Sequence, residues 1–174
     1  MNINFADQQA LIAGCWQVDA DHSTATFTVR NFGRPIRGSV PVIAGIVEIG
    51  ADGLPSAVEA SLDLSGIQTG HPRRDKDLRR PGLLDLDNHP EMTFTADTFS
   101  GWRVEGDLAA RGTSTRVAGT VEPADAGLDG SATLRASTRF DRRSLGVRAP
   151  RVIIGRVIDV EVVARMTRVP SMDR

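Results

Sequence analysis

Val58-Glu59-Ala60-Ser61-Leu62-Asp63-Leu64 sets apolar and polar side chains in strict alternation. Successive side chains of a strand leave opposite faces, so the stretch predicts a strand with Val58, Ala60, Leu62 and Leu64 turned inward and Glu59, Ser61 and Asp63 in water. The same period of two recurs along the chain. Val104, Gly106 and Leu108 oppose Arg103, Glu105 and Asp107, and Ala132, Leu134 and Ala136 oppose Thr133, Arg135 and Ser137. Near the end, Ile158, Val160, Val162 and Ala164 alternate with Asp159, Glu161 and Arg165. Runs at about 23–31, 38–50, 91–99 and 114–121 bring the predicted strands to eight.

Asp52-Gly53, Ser100-Gly101, Arg111-Gly112 and Asp129-Gly130 separate these runs with short turns of the hairpin kind, so strands adjacent in sequence should pair antiparallel. The fold predicted is all-β: an eight-stranded antiparallel up-and-down barrel, which removes its edges by closing. A two-sheet sandwich has the same periodicity and stays open at this level. One segment breaks the pattern. Pro72 suits the first position of a helix and Pro81-Gly82 stops one, so a short helix is predicted at about 72–80 inside an insertion spanning 69–90. An insertion of this length between hairpins suggests a lid or rim over a cavity.

The chain has 174 residues, 40% hydrophobic and 25% charged, which fits one globular domain over 1–174, with 1–14 loosely attached. Twenty-one basic against 22 acidic side chains give a net charge of −1, so the chain as a whole carries no footprint for nucleic acid. All basic residues but Lys76 are arginine. The single cysteine, Cys15, makes neither an internal disulfide nor a cysteine zinc site. Ile12-Ala13-Gly14-Cys15 has the look of a lipoprotein attachment box, but residues 1–11 hold no Lys or Arg and no apolar core of a signal, so a cytoplasmic location is expected. No apolar run reaches the length of a membrane helix.

No glycine-rich phosphate loop, nucleophile elbow, zinc-protease or EF-hand spacing occurs, and no catalysis is expected. His22, His71 and His89 could meet in space around a metal, although their spacing carries no local signal. Asp19, His22 and Ser23 contain the residue types of a triad, but neighbours on a strand face opposite ways and His22 and Ser23 could not readily share a proton. Arg73, Arg74, Asp75, Lys76, Asp77, Arg79 and Arg80 form a basic cluster. It is read first as a solvated helix, and second as a rim for anionic or quinone head groups or a membrane surface. No aromatic residue interleaves it, which argues against single-stranded nucleic acid. The inward positions mix Ala25, Ala60, Ala96, Gly106, Gly119 and Ala136 with aliphatic residues, and the chain holds only eight aromatic residues, so room for an apolar ligand is expected. A barrel packed shut remains the alternative.

Trp16-Gln17-Val18-Asp19-Ala20-Asp21-His22-Ser23, continuing through Phe27-Thr28-Val29-Arg30-Asn31-Phe32-Gly33, resembles the opening of the YceI-like family of polyisoprenoid-binding proteins. Ser65-Gly66-Ile67-Gln68-Thr69-Gly70, then Arg74-Asp75, Leu78, Leu83-Leu84-Asp85 and His89-Pro90 before Thr93-Phe94, is similar to that family's central segment in order and spacing. The resemblance spans about residues 16–167. It implies a lipocalin-like barrel around a long isoprenoid chain or isoprenoid quinone, without catalysis, metal or further cofactor. On this resemblance Phe27, Val29, Leu62, Leu64, Leu84, Phe94, Leu108 and Leu134 would line the lumen, and Val121, Val160 and Val162, inward by alternation, join them. His22, Arg74 and Asp75 match the family's polar positions, as head-group contacts or as pins holding the helix. Leu83-Leu84-Asp85 stands where the family shows Phe-Phe-Asp. The function expected is non-catalytic binding, sequestration or transport of a polyisoprenoid, isoprenoid quinone or similar amphiphile. The alternatives are a protein-interaction scaffold built on a packed barrel and, behind it, a histidine metal site. No nucleic-acid partner and no transmembrane segment are expected, and a homodimer is left open.

Overall fold

The computed structural model describes residues 11–126, 130–149 and 154–170. Eight strands run β1 (Gly14–Asn31), β2 (Arg34–Ile49), β3 (Pro55–Asp63), β4 (Glu91–Ser100), β5 (Arg103–Ala110), β6 (Thr113–Ala126), β7 (Ser131–Asp141) and β8 (Val157–Arg168). Each pairs antiparallel with the next, and β8 returns to β1, so the sheet closes as an up-and-down barrel. Closure excludes the sandwich. It also leaves no strand edge open for pairing with another chain.

Hairpin chemistry follows the backbone signs. Ala110 pairs with Thr113, leaving the two-residue turn Arg111-Gly112, both at positive φ (55° and 69°). That is the geometry whose twist matches the flanking strands. The β1–β2 turn has the same form but was not legible as a turn, because Phe32 occupies the position ahead of Gly33 where Asn or Asp is usual.

β1 is longer than the predicted run at 23–31. Its register shifts between Gln17 and Thr24 against β2 and between Asp19 and Thr24 against β8, so Trp16 and Val18 point inward on one side of the bulge and Ala25 and Phe27 on the other. The period of two is broken there, which hid residues 14–22 from a periodicity argument. The residues that resemble a triad build this bulge. Ser23 Oγ donates to Asp19 O at 2.6 Å and accepts from Arg165 N at 2.9 Å, while His22 Nδ1 lies 2.7 Å from Asp19 Oδ2 on the exposed side. The hydrogen bond from His22 holds the Asp19 carboxyl below its ordinary range.

The two ends of the barrel differ. At one end Leu11, Trp16, Ile49 and Met166 are buried together, with Phe99 and Trp102 packed against them. Trp16 Nε1 donates to Ile12 O at 3.0 Å, so the described part of the segment expected to be loose, Leu11 to Ala13, is held against this plug. The remainder, 1–10, lies outside the described residues. Cys15 sits within β1, paired with Glu48. The other end carries the β1–β2 turn, the 64–90 insertion, the Arg111-Gly112 turn and the β7–β8 connection. The insertion begins with a 3₁₀ turn (Leu64–Gly66) and holds helix α1 (Pro72–Leu78). His71 Nδ1 accepts from Arg74 N at 3.3 Å and caps α1, which ends two residues before the predicted boundary at 80.

Candidate functional site

Two apolar chambers, each about 140 Å³, lie end to end in the barrel. Leu62, Met92 and Val160 line both and form a waist between them. The chamber next to the plug is walled by Val58, Phe94, Leu108, Val121, Leu134 and Val162, among others. The chamber under the insertion is walled by Phe27, Val29, Leu64, Leu84, Phe140 and Leu145. A cavity of this size lined by aliphatic and aromatic groups stays dry and takes an apolar guest of benzene size. The barrel is therefore hollow rather than packed shut, which corrects the scaffold alternative where it depends on a filled core. A third hollow, about 410 Å³, lies on the outer wall among Arg37, Arg103, Arg139 and Asp159. There Arg139 Nε already pairs with Asp159 Oδ1 at 2.6 Å.

All eleven aliphatic and aromatic residues expected to line the lumen face one chamber or both. The small inward residues do less to open space than expected. Phe27 is paired with Gly38, and a Cβ at Gly38 would lie 2.2 Å from Phe27 Cζ, so the ring covers the glycine. A Cβ at Gly106 would fall 2.1 Å from Thr95 O, and one at Gly119 2.4 Å from Ser137 O. These two glycines let neighbouring strands approach.

The three polar residues separate. Arg74 lines the chamber under the insertion and donates from Nε to Thr69 Oγ1 (2.8 Å) and from Nη2 to Thr69 O (2.9 Å). Asp75 lies outside both chambers; its Oδ1 accepts from Thr69 N (3.0 Å) and Thr69 Oγ1 (2.5 Å), and it pins α1 to the strand-side backbone. His22 is on the outer wall in the β1 bulge, 74% exposed at its side chain, and touches neither chamber. His71 caps α1, and the His89 ring lies beside Gly112 of the Arg111-Gly112 turn, with its Nε2 4.0 Å from Asp85 Oδ2. Among the described residues no group of three metal-ligating side chains comes together.

Several residues not singled out from the sequence close this chamber. Arg111 Nη2 donates to Pro81 O at 2.6 Å and Nη1 to the carbonyl of Gly146, so one side chain ties the insertion to the β7–β8 connection. Arg142 is 3% exposed and donates to the carbonyls of Gly155, Val147, Ala149 and Ile154 at 2.8–2.9 Å. Arg148 N donates to Gly82 O at 3.4 Å. Among the described residues Asn31 Oδ1 and Arg111 Nε are buried without a hydrogen-bond partner, and both residues line this chamber. No local signal marks the Arg111 and Arg148 contacts, which join segments 30 or more positions apart, and the Arg142 contacts depend on the fold of the whole β7–β8 connection.

The YceI-like domain model matches residues 16–166. The chain belongs to the YceI-like family. Among solved structures it is similar to BcnA of Burkholderia cenocepacia (TM-score 0.72, 16% identity, 85% of this chain and 98% of that one). It is also similar to a polyisoprenoid binding domain from Saccharophagus degradans (TM-score 0.68, 15% identity, 88% and 98%) and to the YceI protein of Campylobacter jejuni (TM-score 0.65, 15% identity, 78% and 86%). At these identities the likeness is one of fold. No curated protein matches the chain in sequence. Within this YceI-like barrel the Leu83-Leu84 pair lines the chamber under the insertion, in the place where aromatic residues were expected from the family pattern.

Proposed function

We propose that this YceI-like protein binds the tail of a polyisoprenoid, an isoprenoid quinone or a similar amphiphile, without catalysis, and sequesters or carries it in the cytoplasm. The observation that supports this most is the pair of apolar chambers meeting at Leu62, Met92 and Val160 inside a closed barrel. A tail that moves the waist side chains aside spans both. Each buried methylene contributes about 0.8 kcal/mol, so several isoprene units supply affinity without polar contacts. The closed plug at one end and the tied loops at the other orient the guest. Its head group lies under the insertion, where Asn31 Oδ1 and Arg111 Nε have no hydrogen-bond partner among the described residues.

Organic extraction of the freshly purified protein, followed by mass spectrometry, tests the proposal. The expected result is a co-purifying amphiphile that disappears in Leu62→Trp, whose indole fills the waist. Empty extracts, together with no thermal shift on adding long-chain isoprenoids, would overturn it.

A further inference from the structure

The tip of the β1–β2 turn carries an exposed aromatic residue. Phe32 is 68% exposed and sits at φ 49°, a backbone conformation in which non-glycine residues are uncommon and Asn is favoured. Asn-Gly would suit this two-residue turn better and would expose no ring. Two unfavourable features at one residue, with no packing in return, point to an external partner. The surroundings indicate which. Gly155 N donates to Arg30 O at 2.7 Å, so the start of β8, with Val157 47% exposed, runs beside the same turn.

This end of the barrel is strongly basic. Residues 30–34, 64–90, 111–112, 142–149 and 154–157 hold twelve basic side chains, of which Arg142 is buried, and four acidic ones; Asp63, Glu91 and Asp141 at the adjoining strand ends raise the acidic number only to seven. Exposed Arg30, Arg34, Arg73, Lys76 and Arg148 have no carboxylate partner among the described residues. At the plugged end the described connecting residues carry one charge, Asp52. The chain is nearly neutral overall, so this is a charge polarity and not a basic protein.

We infer that the Phe32 end docks on an anionic lipid bilayer, with the ring and Val157 entering the headgroup boundary and the unpaired basic side chains facing the lipid phosphates. An apolar contact rimmed by Arg and Lys is the chemistry that holds a protein in the plane of a membrane surface. Docking in this pose presents the tied loops over the second chamber to the bilayer. It concerns the outer surface alone and stands whether or not the lumen takes a lipid.

Sedimentation of the intact protein with vesicles of phosphatidylcholine mixed with phosphatidylglycerol, free of isoprenoid, tests it. Binding is expected at low salt and is expected to fall as salt rises. Phe32→Asn should weaken binding about tenfold while keeping or raising the melting temperature, and Arg34→Glu with Arg148→Glu should abolish it. Leu62→Trp should bind vesicles like the unmodified protein, which separates this inference from the lumen proposal. No binding to the mixed vesicles, equal binding to pure phosphatidylcholine, or unchanged binding by Phe32→Asn would each overturn it.

Discussion

Arg142 places a guanidinium in the interior to gather four carbonyl oxygens of the β7–β8 connection. Lysine has three donors on a single nitrogen and cannot reach four acceptors in this fork geometry. Arg142→Lys should therefore destabilise the protein by about 2–4 kcal/mol, read from urea unfolding, since carbonyls losing a partner under burial carry a desolvation penalty. Two carboxylates, exposed Asp97 and half-buried Asp141, add a pH dependence. The Arg116 guanidinium, with Thr98, lowers Asp97 from 3.8 to about 2, and hydrogen bonds from Arg143 and Arg156 hold Asp141 well below the ordinary carboxylate range. Depressed values mean that the folded state keeps these groups charged where the unfolded chain would protonate them. Their contribution is complete above about pH 4 and is lost as pH falls toward 2. The melting temperature should drop across that window, and Asp97→Asn should flatten the drop.

Among elements, β4 and β5 show how a bulge imposes a residue type. Their register shifts between Ala96 and Thr98, which brings the β4 backbone onto Gly106, while Arg116 bridges from β6 to Asp97 in the bulge. Gly106→Ala should cost about 1–3 kcal/mol in thermal or urea unfolding, because the added methyl meets backbone that cannot rotate away. Alternation marks Gly106 as inward but not as crowded, because the crowding comes from the neighbouring strand. Helix α1 is held by the His71 cap and by the contacts of Arg74 and Asp75 to Thr69. Asp75→Ala should speed amide exchange across residues 72–80 with little effect on the barrel strands, consistent with an element that buries no residue of its own.

At the scale of the molecule, the barrel is a tube with one plugged end and one tied end. Leu134 is buried beside the chamber next to the plug and Leu62 is at the waist, so the two positions test different lengths of guest. Leu134→Trp should still admit a guest that fills the chamber under the insertion and reaches the waist, whereas Leu62→Trp should admit only a shorter guest confined to the chamber under the insertion; thermal shifts against a series of chain lengths measure this. Arg111 couples the two connections over the chamber.

Strand number, their antiparallel order, the short helix and the inward set were legible in the chain, because alternation and turn residues are local signals. Phe27, Leu62 and Val160 could be placed on the lumen by parity alone. Parity failed at the β1 bulge, where an inserted residue resets the period, and there Asp19, His22 and Ser23 look like chemistry but serve the backbone. Tertiary structure alone decided that the sheet closes, that free volume survives beside the glycines, and that Arg111, Arg142 and Asn31 meet over one chamber. Those outcomes depend on twist accumulated over eight strands and on contacts between distant segments, neither of which any short window of sequence contains.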